Sequence, residues 1–399
     1  MERIKTLLAA FAVFLAFVLI VNVACYNYPL NMEQKAFNVW YSPMKDRSYE
    51  ALSENIKEDT VMLMGSSEFR HGRNTPYHPF NMLAKSQPEL LSIGGPWNQT
   101  LFHAIAIGSL QPQMKGHKAV LLVSPGWFKK DGVTDQAYSF RFSETEYYAF
   151  MDNPAIPDET KKYVAARSER LLKSNHKTLL DIKLANRIQS GETSGLIANA
   201  AYRLNSDFAA NKDKASIGIA MLAMKSHLTK TTPDNTLAKQ NFTNMDWQEM
   251  QWRAMDSSFW HSDNPFDMNE NKWWSKYRKI YRNKNYIFDQ AICEDSPEFE
   301  DLRAFLEVCK SGGIEPKLII LPVNGKWYDY IGTTSDMRCK VSDKIMEMAN
   351  EFGVEAADLT SHEYDDYITM DAQHPWNLGW VLINEEIYKF CKKNPGGHS

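Results

Sequence analysis

The residues best able to do chemistry stand near opposite ends of the chain. Ser66 and Ser67 follow Gly65 directly after the apolar run 60–64, with Glu68 next. Glycine allows a tight turn at a strand end, and in an open α/β sheet the carboxyl ends of the strands border the ligand crevice. A serine there is placed to act as a nucleophile, provided a base takes its proton. Asp371-Ala372-Gln373-His374 offers that base. At three-residue spacing in a turn or helix start, the carboxylate can accept from Nδ1–H and leave Nε2 for a serine hydroxyl. Each motif alone has an ordinary reading: serines at strand-to-helix joints cap helices, and a single histidine is commonly structural. Together in one α/β chain they point to serine acyl transfer, on condition that both loops lie at one sheet edge.

Other groups stand nearby in the sequence. Gly94-Gly95 ends a second apolar run, where the glycines can serve as a plain turn. Ser124-Pro125-Gly126-Trp127-Phe128 follows a third run, and Gly126 and Trp127 are candidate substrate-binding residues. Trp127 and Trp376, next to the two loops, either wall a pocket or fill the core. Glu68 reads as a local cap or ion-pair partner. His71, His78 and His103 lack metal-ligand spacing and read as supporting or surface residues, so neither metal nor cofactor is expected.

The elements that must position these groups follow from hydrophobic pattern. Short apolar runs at 60–64, 90–93, 119–123, 317–321 and 354–357 predict buried strands. Helical periodicity covers 98–111. Ser296-Pro297 opens a helix to about 310 with Gly312-Gly313 as its stop, 335–352 ends at Gly353, and a last helix spans 375–392. Alternating strand and helix with short joints predicts a doubly wound parallel α/β sheet. From 131 to 285 strand signals are nearly absent, while 158–175, 177–190 and 216–228 look helical. The expected division is an anchor at 1–25, a stalk with some helix at 26–58, an α/β core at 59–130 and 286–395, and a mainly helical insertion at 131–285.

The run 7–24 is apolar apart from Asn22 and follows Arg3 and Lys5. At helical rise it extends roughly 27 Å, near the thickness of a bilayer core. The basic flank places the N-terminus in the cytoplasm and the body outside. A cleaved signal would want a small-x-small site before Cys25, and a lipid-modified Cys25 would sit poorly with Asn22, so an uncleaved anchor is the reading. Net charge is −4 with no long like-charge run, which speaks against nucleic acid as a partner. Trp247, Trp252, Trp260, Trp273 and Trp274 fit a core, an interface or a polymer-stacking face, and buried anchors of an aromatic-rich core are the favoured reading. The five cysteines are scattered and give neither a zinc site nor a disulfide framework; a single oxidised pair stays open.

Gly65-Ser66-Ser67 and Asp371 to His374 resemble the SGNH hydrolases, whose nucleophile follows a glycine by two residues and whose Asp and His form a late D-x-x-H block. More narrowly, MGSSEF at 64–69, SPGWF at 124–128 and DAQHPWNLGW at 371–380 are similar to the DltD family of teichoic acid D-alanylation. The likeness covers essentially the whole chain, the insertion by position only. It implies an SGNH-like, flavodoxin-like fold and extracytoplasmic delivery of D-alanyl groups to teichoic acid. It also implies work beside a DltB-like membrane-bound O-acyltransferase channel and with a DltC-like D-alanyl carrier protein, met directly or indirectly. The glycine spacing of the resemblance makes Ser67 the nucleophile and Ser66 the fallback, and Gly94-Gly95, in the place of the family's second block, makes the Ser67 and Gly95 N–H groups the implied oxyanion donors, although the glycines would serve equally well as a plain turn. One departure stands out: the family shows glutamine where this chain has Gly126. Loss of one oxyanion donor costs roughly 10²–10³ in rate, so weak stand-alone hydrolysis is expected. The body is weakly acidic, so a polyanionic acceptor would have to use a local basic patch. The competing readings are a wall-polysaccharide O-acetyltransferase or esterase of the same class, and a non-catalytic scaffold.

Overall fold

Five short apolar segments pair in parallel: β1 (Thr60–Gly65), β2 (Glu89–Gly94), β3 (Lys118–Val123), β4 (Glu315–Ile320) and β5 (Glu355–Asp358). The structure, a computed structural model, describes residues 2–26, 35–83, 89–228, 245–283 and 292–392. Strand order is β2-β1-β3-β4-β5, so the direction of winding reverses between β1 and β3. That reversal opens a crevice beyond the carboxyl ends of the strands. Every residue of β1 and β3 is buried, because helices cover both faces of the sheet. Alternate side chains divide between them. Met62, Met64 and Leu121 face one core, with helices α2 (Thr100–Ser109) and α3 (Glu298–Gly312). Val61, Leu63 and Leu122 face the other, where α5 (Asn377–Lys392) brings Trp380, Val381 and Ile383. Each such buried aliphatic side chain contributes about 1.5–3 kcal/mol.

The predicted strands and helices form with small shifts that have local causes. Helix α3 starts at Glu298, one residue later than the proline signal suggested, because the Ser296 hydroxyl accepts from the Glu298 N–H at 3.3 Å. Helix α4 (Ser335–Phe352) stops at Gly353 as expected. Helix α5 begins two residues late because Pro375 is bridged to Thr369, a contact that shapes the site below.

Between β3 and β4 the described regular elements are helices, including Asp158–Leu171, His176–Gln189 and Leu196–Leu228. The expected segment 216–228 is the end of that last, longer helix. Parts of the expected divisions, at 27–34, 229–244, 284–291 and 393–395, lie outside the described residues. The described part of the segment expected as a stalk is built into the body: Phe37, Ala51 and Leu52 are fully buried. The Lys45 ammonium donates to Asn38 O and Ser92 Oγ, both at 3.2 Å, tying this segment to β2.

The tryptophan reading needs correction. Trp273 is buried, but Trp252, Trp260 and Trp274 are 68%, 75% and 53% exposed. Helix Trp247–Phe259 turns Met250, Ala254 and Ser258 inward, at i, i+4 and i+8, which puts Trp252 on the outer face. Cys293, Cys309, Cys339 and Cys391 are free thiols, and the side chain of Cys25 lies outside the described residues. Helix α1 (Glu2–Tyr26) carries its apolar side chains exposed over most of its length, and it is long and apolar enough to cross a membrane once.

Candidate active site

Two glycines let the ends of β1 and β2 close on each other. A Cβ on Gly94 would run into the Gly65 carbonyl, and one on Gly65 would meet the Glu68 carboxylate and the Phe69 ring. Beyond Gly65, Ser66 is buried and committed. Its hydroxyl donates to Gly95 O at 3.2 Å, and its N–H donates to Glu68 Oε1 at 2.5 Å. Glu68 thus caps this turn, and burial raises its carboxyl above the usual range. A single 3₁₀ turn, Ser67–Arg70, follows. Ser67 is left half-buried. Among the described residues its N–H and that of Gly95 are spent on no internal acceptor.

The D-x-x-H segment is a closed loop. Thr369 bridges Pro375, Met370 N–H donates to His374 O at 2.8 Å, and Trp376 N–H donates to Ile368 O at 3.0 Å. Gly379 lets α5 approach this loop, since a Cβ there would strike the Ile368 carbonyl. Inside the loop, Asp371 Oδ1 accepts from the N–H groups of Gln373 and His374 at 3.1 and 3.0 Å. His374 Nδ1 lies 2.8 and 2.9 Å from the two carboxylate oxygens. A carboxylate can only accept, so Nδ1 carries the proton and Nε2 is the free base. That Nε2 lies 2.8 Å from Ser67 Oγ, across 307 residues of sequence. Burial alone would raise the Asp371 carboxyl. The hydrogen bond and charge of His374, with the two N–H groups, outweigh it and hold the group below the usual carboxylate range.

Two neighbours had no distinguishing signal in the sequence. The His71 ring stacks on His374 with centroids 3.9 Å apart and planes inclined by 30°. Lys272, brought in from the helical region, places Nζ 3.4 Å from His71 Nδ1 and 4.0 Å from Asp371 Oδ2. Burial first, then the adjacent His374 charge, depress His71 to about 3, so it stays neutral near neutral pH. His71, Asp371 and His374 have donor atoms within 4.8 Å of one another. Those atoms are already engaged by Lys272 and Ser67, and a metal ion would have to displace both.

The other predicted residues fall as follows. A Cβ on Gly126 would lie 2.9 Å from Gln373 Oε1, which also accepts from the Tyr328 hydroxyl at 3.4 Å. A glutamine amide therefore stands beside position 126, supplied by the loop that carries the base. Gly95 is packed against the Arg141 guanidinium, whose Nε donates to Pro96 O at 2.7 Å. Trp127 and Trp376 are both buried, Trp127 with its ring 6.4 Å from that of His103. His103 Nε2 donates to Gly65 O at 2.8 Å, and His78 Nδ1 accepts the Phe80 N–H at the start of a short helix.

Burial depresses His103 to about 3, against about 6.5 unfolded. The unfolded chain then binds the extra proton throughout that window, so folding stability falls as pH drops from about 6.5 towards 3. His103→Gln, which keeps a donor for Gly65 O, is expected to flatten that decline in a series of denaturation midpoints against pH. An equal slope in the variant would count against the assignment.

Comparison with known proteins adds a second line. A family model described as DltD protein matches residues 35–392, a span that includes Ser67, Asp371 and His374. The chain is 29% identical over 348 residues to Protein DltD of Bacillus subtilis (strain 168), covering 84% of each. It is 27% identical over 343 residues to Protein DltD of Staphylococcus aureus (strain NCTC 8325 / PS 47), covering 84% of this chain and 81% of the relative. With Protein DltD of Lacticaseibacillus rhamnosus it shares 24% identity over 362 residues, covering 85% and 79%.

Proposed function

Because this chain belongs to the DltD family, we propose that it transfers D-alanyl groups to teichoic acid outside the membrane, with Ser67 as nucleophile. The observation that carries the mechanism is the run of contacts from Ser67 Oγ to His374 Nε2 at 2.8 Å and from His374 Nδ1 to Asp371 at 2.8 and 2.9 Å.

In the first half-reaction Ser67 Oγ attacks the carbonyl carbon of a D-alanyl ester or thioester while His374 Nε2 takes its proton. The bond to the leaving oxygen or sulfur breaks, and that atom leaves with the proton from His374. In the second, a polymer hydroxyl gives its proton to His374 and attacks the acyl-serine, and Ser67 departs with that proton. Asp371 keeps the ring in the right tautomer and offsets the imidazolium charge. The N–H groups of Ser67 and Gly95 donate to the developing oxyanion. Helix α1 anchors the body with the N-terminus in the cytoplasm, beside a DltB-like channel and supplied, directly or indirectly, by a DltC-like carrier.

Incubating the purified full-length protein with D-alanylated teichoic acid and, separately, with acetylated wall glycan tests this reading. D-alanine should be released or transferred, and a fluorophosphonate probe should label Ser67. Activity on acetyl esters alone would move the assignment to an O-acetyltransferase or esterase, and an unlabelled Ser67 would remove the serine mechanism.

A further inference from the structure

We infer that the basic helical segment 270–283, which starts at the catalytic loop, is the binding track for a phosphodiester-linked acceptor polymer. The inference rests on the acyl-transfer reading for the direction in which the polymer must run, and on the observations below for the site itself.

Lys272, Lys276, Arg278, Lys279 and Arg282 fall in this segment with Glu270 as the lone carboxylate, in a chain whose net charge is −4. Elsewhere many surface cations are paired: Lys177 with Asp181, Lys212 with Glu144, Arg303 with Glu351, Lys389 with Glu385. Among the described residues, Lys276, Arg278, Lys279 and Arg282 have no carboxylate within ion-pair distance. Two of them lie over rings instead: Arg278 sits 3.9 Å above the half-exposed Trp274, and Lys276 is 5.0 Å from the centroid of Tyr277. A concentration of unpaired positive charge is costly to keep folded in one place, and it favours a polyanionic ligand.

The segment is also fixed in position. Asn269 N–H donates to Met370 O at 3.0 Å, so the segment begins on the D-x-x-H loop. Trp273 and Tyr277 point inward into a cluster with Trp327 and Tyr328, which leaves Lys276, Lys279 and Arg282 exposed. Five residues, Trp273–Tyr277, are wound as a π-helix, a local distortion that recurs at functional sites. Lys272 is the inner end of the row, 4.0 Å from Asp371. A row of cations that begins at the reacting groups suits a chain whose acceptor hydroxyls are flanked by phosphates. An anionic lipid surface would need the row to face the anchor and would have no use for Lys272 inside the site. Exposed Trp274 adds a flat face for polyol or sugar units.

The test uses the full-length protein, with binding measured for a glycerol-phosphate oligomer and, in parallel, for phosphatidylglycerol vesicles. Replacing Lys276, Lys279 and Arg282 together by glutamine is expected to weaken oligomer binding at low ionic strength at least about tenfold and to flatten its salt dependence. A control with Lys57, Lys177 and Lys340 changed to glutamine should bind as the unaltered protein does, and circular dichroism checks that both variants fold. Unchanged oligomer affinity in the folded triple variant overturns the inference, as does loss of vesicle binding with oligomer binding retained. Fluorophosphonate labelling of the unaltered protein is scored separately: labelled Ser67 with unaltered oligomer binding in the variant removes the track and leaves the serine mechanism standing.

Discussion

Cells whose only copy carries Ser67→Ala are expected to lose esterified D-alanine from their teichoic acid, with the rate of transfer falling at least about 10³-fold. The loss should be complete in practice because Ser66 is a poor substitute. Its hydroxyl is 3% exposed as a residue and donates to Gly95 O, and its N–H is held by Glu68. Freeing Ser66 Oγ would require a rotation that breaks this contact, and His374 Nε2 would have to leave the position where it meets Ser67. Ser66→Ala, by contrast, removes one hydrogen bond of a buried turn, and a modest fall in stability of about 0.5–1.5 kcal/mol is expected with activity retained. The measurement is ester-linked D-alanine released by mild base from intact cells, normalised to the amount of protein in the membrane. Normal levels in Ser67→Ala would leave a scaffold role as the surviving explanation.

The sheet was legible because its strands are buried on both faces, which writes them as continuous apolar runs such as TVMLM at 60–64 and AVLLV at 119–123. The Asp371–His374 pair was legible because its geometry is local: three residues of spacing fix which atoms can meet. The strand end points to the pair Ser66 and Ser67, and the glycine spacing of the family resemblance selects Ser67. What stayed hidden depends on packing between distant parts of the chain. His71 looks like any loop histidine until its ring is found on His374, and Lys272 is one lysine among many until its helix is docked on Met370. Gln373 lies inside the motif, yet its closeness to Gly126 comes from the packing of two distant loops. The segment after the anchor resembles a stalk in sequence because charged groups are buried among its few apolar ones: Lys45 and Asp46 are both almost fully enclosed, and sequence pattern does not reveal which charges find partners.

Asp371→Asn should reduce transfer on the order of 10⁴-fold while leaving the loop folded. Asp371 Oδ1 accepts three N–H groups, from Gln373, His374 and the His374 ring. An asparagine keeps its one oxygen in that position, since only an acceptor satisfies the two backbone donors. Its NH₂ then occupies the place of Oδ2, which lies 2.9 Å from His374 Nδ1 and faces Lys272. A donor there favours the tautomer with Nδ1 bare and Nε2 protonated, and that ring cannot take the proton of Ser67. Stability provides an independent readout. The Asp371 carboxyl is held below its unfolded value, so it adds stability above about pH 3.9 that is lost as pH falls through its folded value. The asparagine variant should accordingly melt lower than the unaltered protein at neutral pH, with the difference shrinking as the solution is acidified. A variant that keeps the original rate would break the chain of proton transfer at its last link, whatever its stability.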